Sequence, residues 1–182
     1  QYEDGIFKKD KFYDLKKIES ENILNLQKDI LSFSKKVTQG DNNISNVEMV
    51  IKIQSQDVTN LTLIDLPGLI NVPKIDEGQD KDIKQHILNM INKYASNPNS
   101  IILAVLQSRA DIEVDEILGI CKNLDKENSR SIGILTKPDL MSDNTCVSNY
   151  LTGDISNNLK LKFGYFCIKN KISEDDTTET EY

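Results

Sequence analysis

Four short apolar segments, Leu61–Leu66, Ser100–Leu106, Ser131–Leu135 and Tyr165–Ile168, recur along the chain with helix-patterned stretches between them. Each is β-branched or aromatic in part and lacks the strict apolar-polar alternation of a half-exposed strand. Each therefore reads as a strand covered on both faces. Between them, Ile83, Ile87, Met90, Ile91 and Tyr94 fall on one helical stripe and Val114, Ile117, Leu118 and Cys121 on another. Asp82 and Asp111 are placed to cap these two helices. Strands alternating with helices of this length predict an α/β fold: a mainly parallel sheet flanked by helices on both faces. In such folds a ligand sits at the carboxyl ends of the strands.

Upstream of this core, Phe12, Leu15, Ile18, Ile23, Leu26, Ile30, Phe33 and Val37 keep a three-and-four spacing. They predict an amphipathic helix over 10–37, with a break near Glu19–Asn22 and a stripe that packs on the protein's own core. The turn-forming run Gln39-Gly40-Asp41-Asn42-Asn43 closes it. In Val47-Glu48-Met49-Val50-Ile51-Lys52-Ile53 the odd positions are apolar and two of the three even ones are charged. That period of two predicts a half-exposed strand, which serves as an antiparallel edge of the sheet. A sheet-and-helix core thus spans 47–171, followed by a solvated acidic tail at 173–182.

The chain has 182 residues, the size of one domain or part of one. Its balance of 38% hydrophobic and 28% charged residues suits a folded globular chain. The longest apolar run, Ile101–Leu106, is far shorter than the roughly 20 residues of a membrane-spanning helix. The net charge is −7 with no dense cluster of Lys or Arg, which argues against nucleic acid as a partner. Cys121, Cys146 and Cys167 are too widely spaced for a zinc site or a disulfide framework and read as ordinary reduced thiols. His86 lies among polar residues of a helical pattern and reads as solvated. The first residues, Gln1-Tyr2-Glu3-Asp4-Gly5, have neither an initiating Met nor a signal-peptide pattern and read as an internal cut.

Two segments carry chemistry. Leu61-Thr62-Leu63-Ile64-Asp65-Leu66-Pro67-Gly68 is a strand pattern ending in Asp-x-x-Gly. At a strand's carboxyl end, Asp65 can reach the water shell of a phosphate-bound Mg²⁺, and Gly68 can bring a backbone N–H up to a γ-phosphate. Alone, the same residues also describe an ordinary Pro-Gly turn after a strand. Ile132-Gly133-Ile134-Leu135-Thr136-Lys137-Pro138-Asp139 is the second. Its Asp139 can accept two hydrogen bonds from the N1–H and 2-amino edge of guanine, while the stem of Lys137 covers the base face. Adenine offers neither donor, so a site built this way can reject it by about 10⁴-fold. Taken alone, this segment equally fits a Lys-Pro turn capped by Asp139. Order, spacing and the shared strand-end position make a joint accident improbable.

These residues resemble the dynamin superfamily, including dynamins and the Mx relatives. The likeness runs through Leu61–Gly68 with Val72-Pro73 beyond it, then Asp82-Ile83, Ile102–Val105, Asp111-Ile112 and Arg130–Met141. It covers roughly 37–171. The Thr-Lys-Pro-Asp form, where many small GTPases carry Asn-Lys-x-Asp, is the most specific part. The resemblance implies an incomplete P-loop-GTPase-like domain that uses GTP/GDP and Mg²⁺, with Asp65 reaching the metal through water. Asp65, Gly68, Thr136, Lys137 and Asp139 would be nucleotide contacts. Lys169, Asn170 and Lys171 fall where the family carries its last base-and-ribose contact, although a plain strand end describes them equally well. It also implies self-association through the G domain, with Asp111 as a trans contact, membrane contact through regions outside this chain, and a cytoplasmic or membrane-peripheral location. GTP hydrolysis coupled to assembly and membrane remodelling is the expected activity.

The chain departs from the family in two respects. Its eight glycines, at 5, 40, 68, 78, 119, 133, 153 and 164, form no Gly-x-x-x-x-Gly-Lys-Ser/Thr loop, and the family's switch Thr is not among these residues. Without them phosphoryl transfer loses both positioning and charge stabilisation, so these 182 residues alone are expected to be inactive. The expectation is a longer GTPase whose phosphate-binding loop lies upstream. The alternative is a non-hydrolysing relative that keeps the fold as a protein-interaction scaffold.

Overall fold

The computed structural model of the protein describes residues 2–3, 6–7, 20–38, 43–53, 56, 59–108, 112–140 and 147–170. The chain divides into two compact units, Gln1–Ile91 and Asn92–Tyr182.

In the first unit, β1 (Tyr2–Glu3) and β2 (Ile6–Phe7) pair antiparallel, Tyr2 with Phe7 and Glu3 with Ile6. Helix α1 (Ser20–Thr38) follows. It begins inside the break expected near Glu19–Asn22, and 10–19 lie outside the described residues. Leu26, Ile30, Phe33 and Val37 are its half-buried side. Lys35 and Lys36 fall in the last turn, where cations complement the carbonyl end of a helix. A 3₁₀ turn at Ile75–Glu77, ended by Gly78 at φ 84°, leads to α2 (Ile83–Ala95). Ile83, Ile87 and Met90 are buried as the stripe predicts. The capping acceptor of α2 is Asp80, not Asp82. The Asp80 carboxylate takes the Asp82 N–H at 2.9 Å and its carbonyl takes the Ile83 N–H at 3.1 Å.

The predicted strands at 47–53 and Leu61–Leu66 are not strands here. Both run as irregular chain outside any ladder, and Val50 is 84% and Leu63 77% exposed. Alternating or apolar composition records how a residue sits once a sheet exists. A strand forms only where a neighbouring strand takes its N–H and C=O groups, and no ladder among the described residues includes these segments. The expected antiparallel edge strand is therefore absent among the described residues.

The second unit is built on three parallel strands in the order β3 (Ile102–Gln107), β4 (Ser131–Thr136) and β5 (Tyr165–Ile168). Leu103 pairs with Ile132 and Leu106 with Leu135, while Gly133 pairs with Tyr165 and Thr136 with Ile168. The α/β class with parallel strands and intervening helices is as expected. The crossovers carry α3 (Glu116–Leu124) and α4 (Val147–Thr152). Asp115 caps α3 by accepting the Ile117 N–H at 2.9 Å, the role expected of Asp111, which lies outside the described residues. Side chains alternate across the sheet. Ala104, Leu106, Ser131, Leu135 and Tyr165 are buried on one face, whereas Leu103, Val105 and Phe166 on the other are half or more exposed. The core joins Leu106, Leu135 and Tyr165 to Ile112 just before α3, Leu118 of α3, Val147 of α4, and Leu159 and Leu161, so among the described residues of this unit the packed helical cover lies against that buried face.

Two further features lock this unit. Tyr165 lies against Gly133, where any Cβ would run into its ring, and its hydroxyl donates to the Leu159 carbonyl at 2.7 Å. Asp125, buried after α3, accepts from the Ser129 and Arg130 N–H groups and, at 2.7 Å, from the Ser131 hydroxyl. Of the thiols, Cys121 is buried and Cys167 exposed, both free, and Cys146 is outside the described residues. Burial, reinforced by nearby Asp125, pushes Cys121 up to about 11, so it stays protonated and inert. No helix among the described residues is long and apolar enough to cross a membrane.

Candidate functional site

Parallel pairing in register brings the ends of β3, β4 and β5 to one carboxyl edge. Gln107 is level with Thr136, and Thr136 with Ile168, so the next residues, Ser108, Lys137 and Lys169, leave the sheet side by side. The corner between β3 and β4 is tied twice. The Ser108 N–H donates to the Thr136 carbonyl at 2.8 Å, and the Thr136 hydroxyl donates to the Leu106 carbonyl at 2.9 Å. Thr136 thus holds the corner with its side chain, which is half-buried.

Beyond that corner the backbone turns sharply. Lys137 has φ 56°, a left-handed conformation that costs a residue with a Cβ about 1–2 kcal/mol. Pro138, whose ring presets φ, then opens a 3₁₀ turn over Pro138–Leu140, closed by the Leu140 N–H on the Lys137 carbonyl at 3.1 Å. The consequence is that Lys137 and Asp139 are both exposed just past the strand end. Just past the end of the neighbouring β5, Lys169 and Asn170 are exposed as well. An exposed carboxylate with two cationic stems and an amide close to one edge can accept paired N–H donors while apolar stems cover a planar ring. Ser108 was not legible as part of this corner. It is fully buried, and its hydroxyl finds no hydrogen-bond partner among the described residues.

Asp65 and Gly68 belong to the first unit. Asp65 is exposed. A Cβ built at Gly68 would meet nothing within 4 Å, so the backbone there is open to an approaching ligand. Further along, Lys74 and Gln79 close a loop by exchanging backbone and side-chain hydrogen bonds, the Lys74 N–H on Gln79 Oε1 at 2.7 Å and the Gln79 N–H on the Lys74 carbonyl at 3.1 Å. Lys171 and Asp111, the remaining candidates, lie outside the described residues.

Known proteins supply the context for these two segments. Residues 2–138 match the model of the dynamin family. The chain is 36% identical over 166 residues to Dynamin-A of Dictyostelium discoideum, covering 91% of this chain and 18% of that protein. It is 36% identical over 150 residues to the Dynamin-1-like protein of Danio rerio, covering 82% and 21%. Against the Vacuolar protein sorting-associated protein 1 of Schizosaccharomyces pombe it is 36% identical over 165 residues, covering 91% and 22%. The chain therefore spans about a fifth of the length of these curated relatives. The matched residues contain both Asp65-Leu66-Pro67-Gly68 and the strand that ends at Thr136, and the chain belongs to the dynamin family.

Proposed function

We propose that this chain is the base-recognising part of a dynamin-like GTPase. In this reading Asp139 accepts the N1–H and 2-amino group of guanine, Lys137 covers the base with its methylene stem, and Thr136 holds the turn that presents them. Lys169, Asn170 and Lys171 form the opposite wall around base and ribose. The observation that supports it is the in-register carboxyl edge, where β4 ends just before Lys137 and Asp139 and β5 just before Lys169 and Asn170 in a dynamin-family chain.

Asp65 and Gly68 serve the phosphate end. Mg²⁺ keeps several waters and takes one or two carboxylates plus phosphate oxygens, a demand that a single exposed carboxylate such as Asp65 fits. Among the described residues no group of three His, Cys, Asp or Glu could hold a metal by itself. When bound, the ion would neutralise charge developing on the phosphates. Phosphates would be held by groups that these 182 residues do not include. Hydrolysis coupled to self-association, with Asp111 as a trans contact, and membrane remodelling from the cytoplasmic side belong to the same proposal for the full-length protein. Nucleic acid is not a partner in it.

The test is nucleotide discrimination. Fluorescent GTP and ATP analogues are titrated into the full-length protein and its Asp139→Asn variant. An amide in place of the carboxylate keeps one acceptor and sets a donor against the guanine edge, so GTP affinity should fall by about 100-fold or more and the preference over ATP should collapse. Unchanged affinity and preference would remove Asp139 from the site.

A further inference from the structure

Asn43 makes a contact that neither the site nor the fold requires. Its Nδ2 donates to the Gly78 carbonyl at 3.1 Å and its Oδ1 accepts the Asp80 N–H at 3.2 Å, across 35 and 37 residues. One side-chain amide therefore bridges the two backbone groups flanking Gln79. Only Asn or Gln offers a donor and an acceptor in this arrangement; Asp has no donor and Ser one atom for both tasks.

The bridged turn is closed on itself. The Glu77 and Gln79 N–H groups bond the Lys74 carbonyl at 3.1 Å each, the Lys74 N–H returns to Gln79 Oε1, and Gly78 takes the left-handed φ of 84° that lets the chain reverse. Asp80 then starts α2 through the Asp82 N–H and the Ile83 N–H. The turn is thus one small closed piece, and Asn43 ties it to a distant part of the first unit. It begins at Lys74, six residues after Gly68.

We propose that Asn43 is a positioning residue for the segment between Gly68 and α2, holding it pre-ordered for a nucleotide's terminal phosphate. This rests on the reading of Gly68 as a γ-phosphate contact. GTPases order their switch segments on the γ-phosphate and release them when it is lost, and ordering such a segment is an entropic cost to binding. A tie that already holds the downstream end lowers that cost for the triphosphate. A diphosphate does not reach Gly68 and gains nothing.

The experiment has two arms on the full-length protein and its Asn43→Ala and Asn43→Asp variants. Hydrogen exchange followed by mass spectrometry reads the peptide over 74–82, and titration reads a non-hydrolysable GTP analogue and GDP. Loss of two hydrogen bonds should speed exchange in that peptide and weaken the GTP analogue by about 5–30-fold, with GDP within about 2-fold. Asn43→Asp, which keeps the acceptor for the Asp80 N–H and loses the donor, should fall between, and it answers the question if the alanine variant folds poorly. Unchanged exchange overturns the tie. Faster exchange with an unchanged GTP:GDP ratio overturns the positioning role and leaves a structural contact. Wild-type protein that binds neither nucleotide overturns the guanine reading and this proposal with it, and the wild-type titration alone separates that failure from the other two.

Discussion

Asp125 sits where a carboxylate ought to be costly. Burial alone pushes its carboxyl up, yet the hydrogen bonds donated by the Arg130 N–H, the Ser131 hydroxyl and both groups of Ser129 outweigh it and hold the pKa down at about 2. A carboxyl whose folded pKa lies below its ordinary value stabilises the fold above that value and loses the contribution as pH falls through the folded pKa. From 3.8 to about 2, the linkage is worth about 2 kcal/mol, present at neutral pH and lost between about pH 4 and pH 2. Asp125→Asn should therefore cost about 2–4 kcal/mol at pH 7 and flatten the acid limb of stability. Urea unfolding at pH 7 and pH 3 checks this, and an unchanged difference between the two would refute it. At the carboxyl edge the contrast is Ser108, whose buried hydroxyl has no partner among the described residues. Ser108→Ala removes a polar group that gains nothing, so stability should hold or rise by up to about 1 kcal/mol, read by thermal melting.

At the scale of elements, the β4–β5 pair depends on an absence of side chain. Tyr165 fills the space above Gly133, is anchored to Leu159 and meets the Tyr150 ring edge-to-face at a centroid distance of 5.2 Å. Gly133→Ala must displace that ring or the strand, an overpacking cost of about 1–3 kcal/mol. Loss of the intensity and sign of the near-ultraviolet tyrosine signal along with a lower melting temperature is the expected reading, and a neutral variant would show that the ring moves freely. The three strands were legible because each is a short apolar run bounded by turn residues: β5 was expected at Tyr165–Ile168 and forms there, and β3 and β4 differ by one or two residues. The helical stripe of α2 was legible for the same local reason. The caps were not. Asp80 and Asp115 serve where Asp82 and Asp111 were expected, because a cap depends on how the chain enters the helix, and two Asp residues lie within five positions before each start.

For the whole molecule, the separation of guanine contacts from phosphate chemistry leads to a functional expectation. In the guanine-binding reading proposed above, base recognition would draw on Lys137, Asp139, Lys169 and Asn170, yet no glycine-rich phosphate loop occurs in these 182 residues. Phosphoryl transfer rests on positioning and on neutralising charge at the phosphates, so this chain by itself should show no measurable GTP turnover in a phosphate-release assay. Robust turnover would mean that the phosphates are held in another way and would reopen the assignment of every nucleotide contact. The sequence by itself determined the α/β class, three strands, the stripe of α2 and the family, because all of these reside in residue type and short-range spacing. Only the tertiary structure decided that 47–53 and Leu61–Leu66 stand outside any ladder, that Lys137 turns left-handed to expose Asp139, and that Asn43 reaches the turn at Gly78. Pairing, strain and side-chain reach depend on which distant groups arrive at the same place, and no local pattern encodes that.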